Sequence, residues 1–201
     1  MAATTSITDG RAARAARTRE TVVAALLALI DEGSPRPTAR EIADRAGVSL
    51  RSVYVHFDDL EDLFTAAAAK QYERMAALIK RLPTEGPLAD RVDAFVAQRC
   101  RLMEAGGAVR HAAVLQEPFS PTLAKVMAAV RKAARDEVER VFATELDRHH
   151  GVARQRLLAS VDVASSGASW ETLRAHDGLS FETASQVVAE MLTRLLESEP
   201  H

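Results

Sequence analysis

The run from Thr38 to Phe57 constrains this chain more than any other feature. Thr38, with Glu41 three residues on, forms a capping box that starts a helix. Ile42, Ala43 and Ala46 give that helix an inward face, Gly47 suits a tight turn, and Val48 fills the angle beyond it. Ser49 is placed to cap a second short helix whose inward residues are Val53 and Phe57. Two short helices joined by a glycine turn are the layout of a helix-turn-helix, the unit that lays its second helix in the major groove of DNA.

The rest of the chain is helical in pattern. Val22, Val23, Leu26, Leu27 and Ile30 recur at helical spacing over a first helix from about Arg11 or Arg14 to Glu32, which Gly33, Pro35 and Pro37 stop. Asp58 or Asp59 is placed to cap a fourth helix, running through Leu63, Phe64, Tyr72, Met75, Leu78 and Ile79 to Pro83. After a loop over 83–87, a fifth helix ends at Gly106-Gly107 and a short one carries Val109 to Leu115. Ser120-Pro121, a cap followed by a first-turn proline, opens a long helix to about Arg148. Two more are expected, over 154–175 and 180–197. The expected fold is all-α with about nine helices: a three-helix head joined by a long helix to a C-terminal bundle. The expected segments are a disordered tail over 1–10, a DNA-binding domain over 11–64 and a helical domain over 65–201.

Composition bounds the function. The net charge of −2 means that nucleic-acid binding has to come from a local patch. The single cysteine, Cys100, excludes an intrachain disulfide framework and fits a reducing cytoplasm. No apolar run is long enough to span a membrane, and the first ten residues lack a basic-then-apolar signal pattern. A cytoplasmic protein with no cofactor is expected. Gly106-Gly107 follows a helix instead of a strand, so it is no nucleotide fingerprint. His149-His150 point in different directions on a helix and are better read as a helix end than as a metal site. No catalytic triad or metal motif is visible, and an enzyme is not expected.

On the recognition helix, Ser49, Arg51 and Ser52 face outward. Arg51 has the reach to hold guanine O6 and N7 or to grip a phosphate. Thr38 and Arg40, at the start of the preceding helix, are placed for a phosphate at its positive end. Arg11, Arg14, Arg17 and Arg19 form a basic arm that suits the adjacent minor groove or simply solvates the surface, with Arg17 the candidate contact. Tyr72, Met75, Phe95, Met103, His111, Leu115, Phe119, Met127 and Trp170 fit either the lining of an effector cavity or plain core. The small-residue run Ala164 to Ser169 allows close helix approach. With apolar positions on the last helix it suggests a dimer seam: Val161, Ala164, Ala168, Ala184, Val187, Val188, Met191 and Leu195.

Thr38, Ile42-Ala43, Ala46-Gly47-Val48-Ser49, Tyr54, His56-Phe57, Glu61 and Leu63 together resemble the TetR (tetracycline-repressor-like) family pattern, over roughly a quarter of the chain. The segment Ser169 to Arg174 with Gly178-Leu179-Ser180 resembles the final helices of actinobacterial-type members. The resemblance implies that Tyr54 and His56 contact phosphates, that the last two helices dimerise, and that the middle helices enclose an inducer pocket. It further implies a repressor released from palindromic operator DNA by a small molecule, here expected to be hydrophobic or amphipathic. Two positions depart from the pattern: the family often has glycine where Arg51 stands, and usually a phosphate-contacting lysine where Leu60 stands. Two alternatives keep the fold: a DNA-binding regulator without ligand control, and a helical interaction module that has lost DNA binding. The acidic cluster Asp58, Asp59, Glu61 and Asp62 speaks for the second.

Overall fold

The computed structural model describes residues 4–198, with side chains described from residue 12 onward. The described residues form eleven α-helical segments: α1 (Thr4–Asp31), α2 (Ala39–Ala46), α3 (Leu50–His56), α4 (Leu60–Ala76), α5 (Leu88–Ala105), α6 (Gly107–Gln116), α7 (Pro121–Val141), α8 (Ala143–Leu146), α9 (Gly151–Ala164), α10 (Gly167–Glu171) and α11 (Phe181–Leu196). A 3-10 turn over Glu117–Phe119 and a π turn over Thr172–His176 complete the list. The chain divides into two compact units, residues up to Arg74 with Ala108–Lys125, and Met75–Gly107 with the residues from Val126 on. The division therefore differs from the expected boundary at residue 64. Residues 108–125 belong with the first unit because Ala112 is buried in its core and Val109 packs against it.

The local signals worked where they are short-range. Thr38 caps α2 and Gly47 ends it at φ 67°, a left-handed conformation that glycine adopts without steric cost. Ser49 caps α3 by accepting from the Ser52 N–H, Asp59 caps α4 by accepting from the Asp62 N–H, and Ser180 caps α11 by accepting from the Thr183 N–H. The Ser120 hydroxyl accepts from the Leu123 N–H at the start of α7.

Helix ends that depend on packing differ from expectation. α1 begins at Thr4, so residues 4–10 are helical instead of a disordered tail, continuing the alanine- and arginine-rich helix formers that follow them. Residues 1–3 lie outside the described ones. α4 stops at Ala76, not at Pro83, which leaves Leu78 and Ile79 on the surface instead of in an inward stripe. α7 stops at Val141 because Phe142 leaves the helical region and is fully buried, its ring meeting Phe95 edge-on at 5.1 Å. The helix expected over 154–175 breaks at Ser165-Ser166. There the Ser165 hydroxyl donates to the Val161 carbonyl and the Ser166 hydroxyl accepts from the Ser169 N–H, so the serines serve the backbone and open a new helix at Gly167.

In the first unit Val22, Leu26, Leu27 and Ile30 of α1 close over Ile42, Ala43, Val53, Phe57, Leu63 and Ala67. Burial of each large apolar side chain contributes about 1.5–3 kcal/mol. In the second unit Ala184, Val188, Leu192 and Leu196 recur every fourth residue along α11 and pack with Phe95, Val138, Phe142, Leu158 and Val161. A buried ion pair fixes this unit: Arg91 donates to Glu145 at 2.5 and 2.9 Å, to the Val141 carbonyl at 2.8 Å and to the Gly86 carbonyl at 3.2 Å. No helix among the described residues is long and apolar enough to cross a membrane.

Candidate nucleic-acid interface

The candidate site is built on α3. Val53 is buried and anchors the helix to the head core, and Phe57, directly after it, is 2% exposed. With these two pointing inward, Arg51, Tyr54 and Val55 point to solvent. Arg51 is exposed, and neither its guanidinium nor that of Arg40 or Arg17 has a hydrogen bond or ion pair among the described residues. Ser49 is exposed and Ser52 half-buried. The Ser49 oxygen accepts the cap hydrogen bond, and its own proton remains available to a ligand.

Thr38 is exposed, but its hydroxyl is already engaged. It donates to Glu41 Oε2 at 2.7 Å, and the Thr38 backbone N–H donates to the same oxygen at 2.7 Å. Backbone and then side-chain hydrogen bonds from Thr38 hold the Glu41 carboxyl below its ordinary value. His56 is half-buried, and its carbonyl is the acceptor in the contact that positions α3.

That contact comes from Arg19. Its Nη1 donates to the His56 carbonyl at 2.7 Å, its guanidinium lies 4.2 Å from the centroid of the Phe57 ring, and Asp62 stands 3.8 Å away. Arg19 is thus a strut from α1 to the end of the recognition helix, a role the sequence reading missed by placing it in the basic arm. The signal was present: Arg19 precedes Val22 by three residues and Leu26 by seven, which puts it on the inward stripe of α1. Arg14 and Arg17 remain exposed, and the Arg11 side chain lies outside the described ones. A second tie, the Arg45–Glu32 ion pair, joins α2 to the end of α1.

The acidic cluster is largely occupied. Asp59 caps α4, Asp62 faces Arg19, and Glu61 accepts a 2.6 Å hydrogen bond from the Ser120 hydroxyl. Leu60 is half-buried against the head core. With Arg36, Phe64, Phe119 and Leu123 it lines a concavity of about 180 Å³ in the first unit.

The nine residues considered for an effector cavity fall into both units. Phe95, Met103 and Trp170 are in the core of the second. Phe95 packs on Phe142, and Trp170 packs edge-on against Phe181 at 5.5 Å while its indole N–H donates to Glu104 at 2.9 Å, so both rings act as packing groups. Met75 and Met127 are half-buried in that unit. Tyr72, His111, Leu115 and Phe119 are exposed residues of the first.

The dimer-seam candidates also divide. Val161, Ala164, Ala184 and Val188 are buried in the core of the second unit, because the inward stripe of α11 runs through 184 and 188. Met191 and Leu195 instead line an open apolar groove of about 620 Å³ with Ala159, Val163, Ser169 and Arg194, and Ala164 reaches its floor. Ala168 is exposed and Val187 half-buried.

Residues 22–67 match the family model described as bacterial regulatory proteins of the tetR family. No curated protein matches the chain. Among solved structures, the chain is similar to a transcriptional regulator from a Rhodococcus species, with 19% identity, 89% of this chain and 96% of that one covered, and a TM-score of 0.71. A tetR-family transcriptional regulator from Streptomyces coelicolor gives 20% identity, 92% and 90% coverage and a TM-score of 0.66. A TetR transcription regulator from Haloarcula marismortui gives 18%, 89% and 98%, and 0.63. Residues 22–67 thus match the TetR-family model over the helix-turn-helix head, and the chain as a whole has the fold of these solved TetR-family regulators.

Proposed function

We propose that this protein is a homodimeric, sequence-specific DNA-binding regulator that represses transcription until a small hydrophobic or amphipathic molecule releases it from a palindromic operator. The observation that carries the DNA-binding part is the presentation of α3. Val53 and Phe57 lock one side, Arg19 holds the end, and Arg51 is left exposed and unpaired on the other. A single helix-turn-helix holds DNA weakly, and two copies at half-sites about one turn apart, or a multiple of it, supply the needed contacts. The exposed groove of α9 and α11 around Val163, Met191 and Leu195 is the surface we assign to the partner subunit.

Release requires a ligand that binds the off-DNA conformation more tightly than the DNA-bound one. A hundredfold loss of operator affinity needs about 2.7 kcal/mol of that preference. α4 is the element we assign to transmission, because its Leu63 is fully buried in the head core and any shift of the helix must move that core.

The test is fluorescence anisotropy of the purified protein on the DNA upstream of its own gene and on DNA selected from a random pool, beside scrambled DNA, across a salt series. Tight, selective, salt-dependent binding is expected, with release by the cognate apolar molecule in a ligand screen. Equal weak binding to selected and scrambled DNA would refute the reading.

A further inference from the structure

α3 carries three apolar side chains that its own fold leaves uncovered. Leu50 is 41% exposed, Tyr54 50% and Val55 69% on a helix of seven residues. A single exposed apolar residue needs no explanation, but Val55 is set apart by its position. At 100° per residue, Val55 and Arg51 lie about 40° apart around the helix, and each is about 160° from the buried Val53. These two side chains therefore form the outermost ridge of the recognition helix. Valine is a poorer helix former than alanine, so local propensity gives no reason for it there. The Val55 side chain offers no hydrogen bond to a phosphate or a base edge. What it can cover in the major groove is the one apolar group displayed there, the 5-methyl of thymine.

Resting on the DNA-binding reading above, we propose that Val55 reads a thymine methyl group beside a guanine held by Arg51. One helical turn separates the two residues by about 6 Å along the axis. Base steps are about 3.4 Å apart, so the thymine lies within two steps of the guanine in each half-site. Arg51 supplies hydrogen-bonded readout at one position, and Val55 supplies apolar readout at the other.

The experiment uses the full chain and an operator selected from random DNA. Each thymine is replaced in turn by deoxyuridine, which keeps base pairing and removes only the methyl. Affinity is then read for wild type, Val55→Ala and Arg51→Ala. Wild type is expected to lose about fourfold per half-site at one thymine, the worth of one buried methyl group. Val55→Ala should bind more weakly to the methylated DNA and be indifferent to the methyl at that position. Val55 is exposed, so the variant keeps its fold, and an unchanged melting temperature checks this. If no methyl matters, or if Val55→Ala keeps the methyl sensitivity of wild type, the inference is wrong while selective binding stands. If no selected DNA is preferred at all, the proposed function falls and the inference with it.

Discussion

Replacing Arg19 with methionine separates positioning from phosphate contact. The side chain makes a 2.7 Å charge-assisted hydrogen bond to the His56 carbonyl and lies over the Phe57 ring at 4.2 Å. Buried, such a hydrogen bond contributes about 1.5–3 kcal/mol, and a cation–π contact adds about 0.5–1 at an exposed site. Because 43% of the Arg19 side chain is exposed, solvent screens both, and the 3.8 Å approach of Asp62 adds little. The combined loss is about 1–2 kcal/mol, a fall of about 2–8 °C in melting temperature for a chain of this size. The expected result is a destabilised head without DNA, weaker operator binding, and a salt slope unchanged from wild type. Arg17→Ala should do the reverse, leaving melting intact and lowering the slope by about two ions, one from each subunit. Melting by circular dichroism and anisotropy across a salt series read both. If Arg19→Met melts like wild type and loses about two ions of salt slope, one from each subunit, the guanidinium holds phosphate and the strut is refuted.

The buried Arg91–Glu145 pair should respond most strongly to single removal: Arg91→Met or Glu145→Gln is expected to cost about 3–5 kcal/mol in chemical denaturation, whereas an apolar double replacement should recover much of it. Burial pushes the Glu145 carboxyl up, but the hydrogen bonds and charge of Arg91 outweigh that and hold it below the usual carboxylate range. Its contribution is therefore present above the ordinary carboxylate value and lost as pH falls through the lower folded value, so Glu145→Gln should flatten the acid limb of a stability–pH curve. Gly47→Ala meets no atom within 4 Å, so its cost is the left-handed backbone alone, about 1 kcal/mol by thermal melting. Val163→Glu places a charge on the exposed α9–α11 groove and should yield folded monomers by sedimentation with operator affinity down more than tenfold; intact dimers would move the interface elsewhere.

What the sequence made legible follows the range of the interactions involved. Thr38 with Glu41, Gly47, Ser49 and Ser120-Pro121 act within four residues, and each does in the structure what its local chemistry requires. The ends of α4 and α7 are set by packing instead: Phe142 leaves the helix to bury its ring against Phe95, a partner 47 positions away in the chain. α11 shows the limit most clearly. Its apolar residues occupy positions 181, 184, 187, 188, 189, 191, 192, 195 and 196, most of them in two neighbouring stripes on one helix. Periodicity cannot tell which stripe faces the subunit's own core. The structure gives 184, 188, 192 and 196 to that core, and leaves 191 and 195 on the groove. Arg19 was obscured for a similar reason, since four arginines close together read as one charge feature until one of them is seen folded over Phe57.

The same distinction between occupied and unoccupied charges fixes how the proposed binding must depend on salt. With a net charge of −2, the chain as a whole does not attract DNA. Around α3, three of the four clustered acids have partners, Asp59 with a backbone N–H, Asp62 with Arg19 and Glu61 with Ser120, while Asp58 is exposed. Arg17, Arg40 and Arg51 are exposed with no partner among the described residues. A hydrogen bond from a neutral donor leaves a carboxylate its charge, so the attraction for phosphate rests on these exposed guanidinium groups, which act within a Debye length of about 8–10 Å. Leu60 adds no cation where the family pattern usually has one. With Arg51 assigned to a base, Arg17 and Arg40 give about four phosphate-competent cations in a dimer, and a slope of log affinity against log salt of about −4. A measured slope near −4 that falls by about two on Arg40→Ala, one ion from each subunit, would match this accounting. A slope near zero with selective binding retained would mean that base contacts alone hold the operator, and the charge argument would fail.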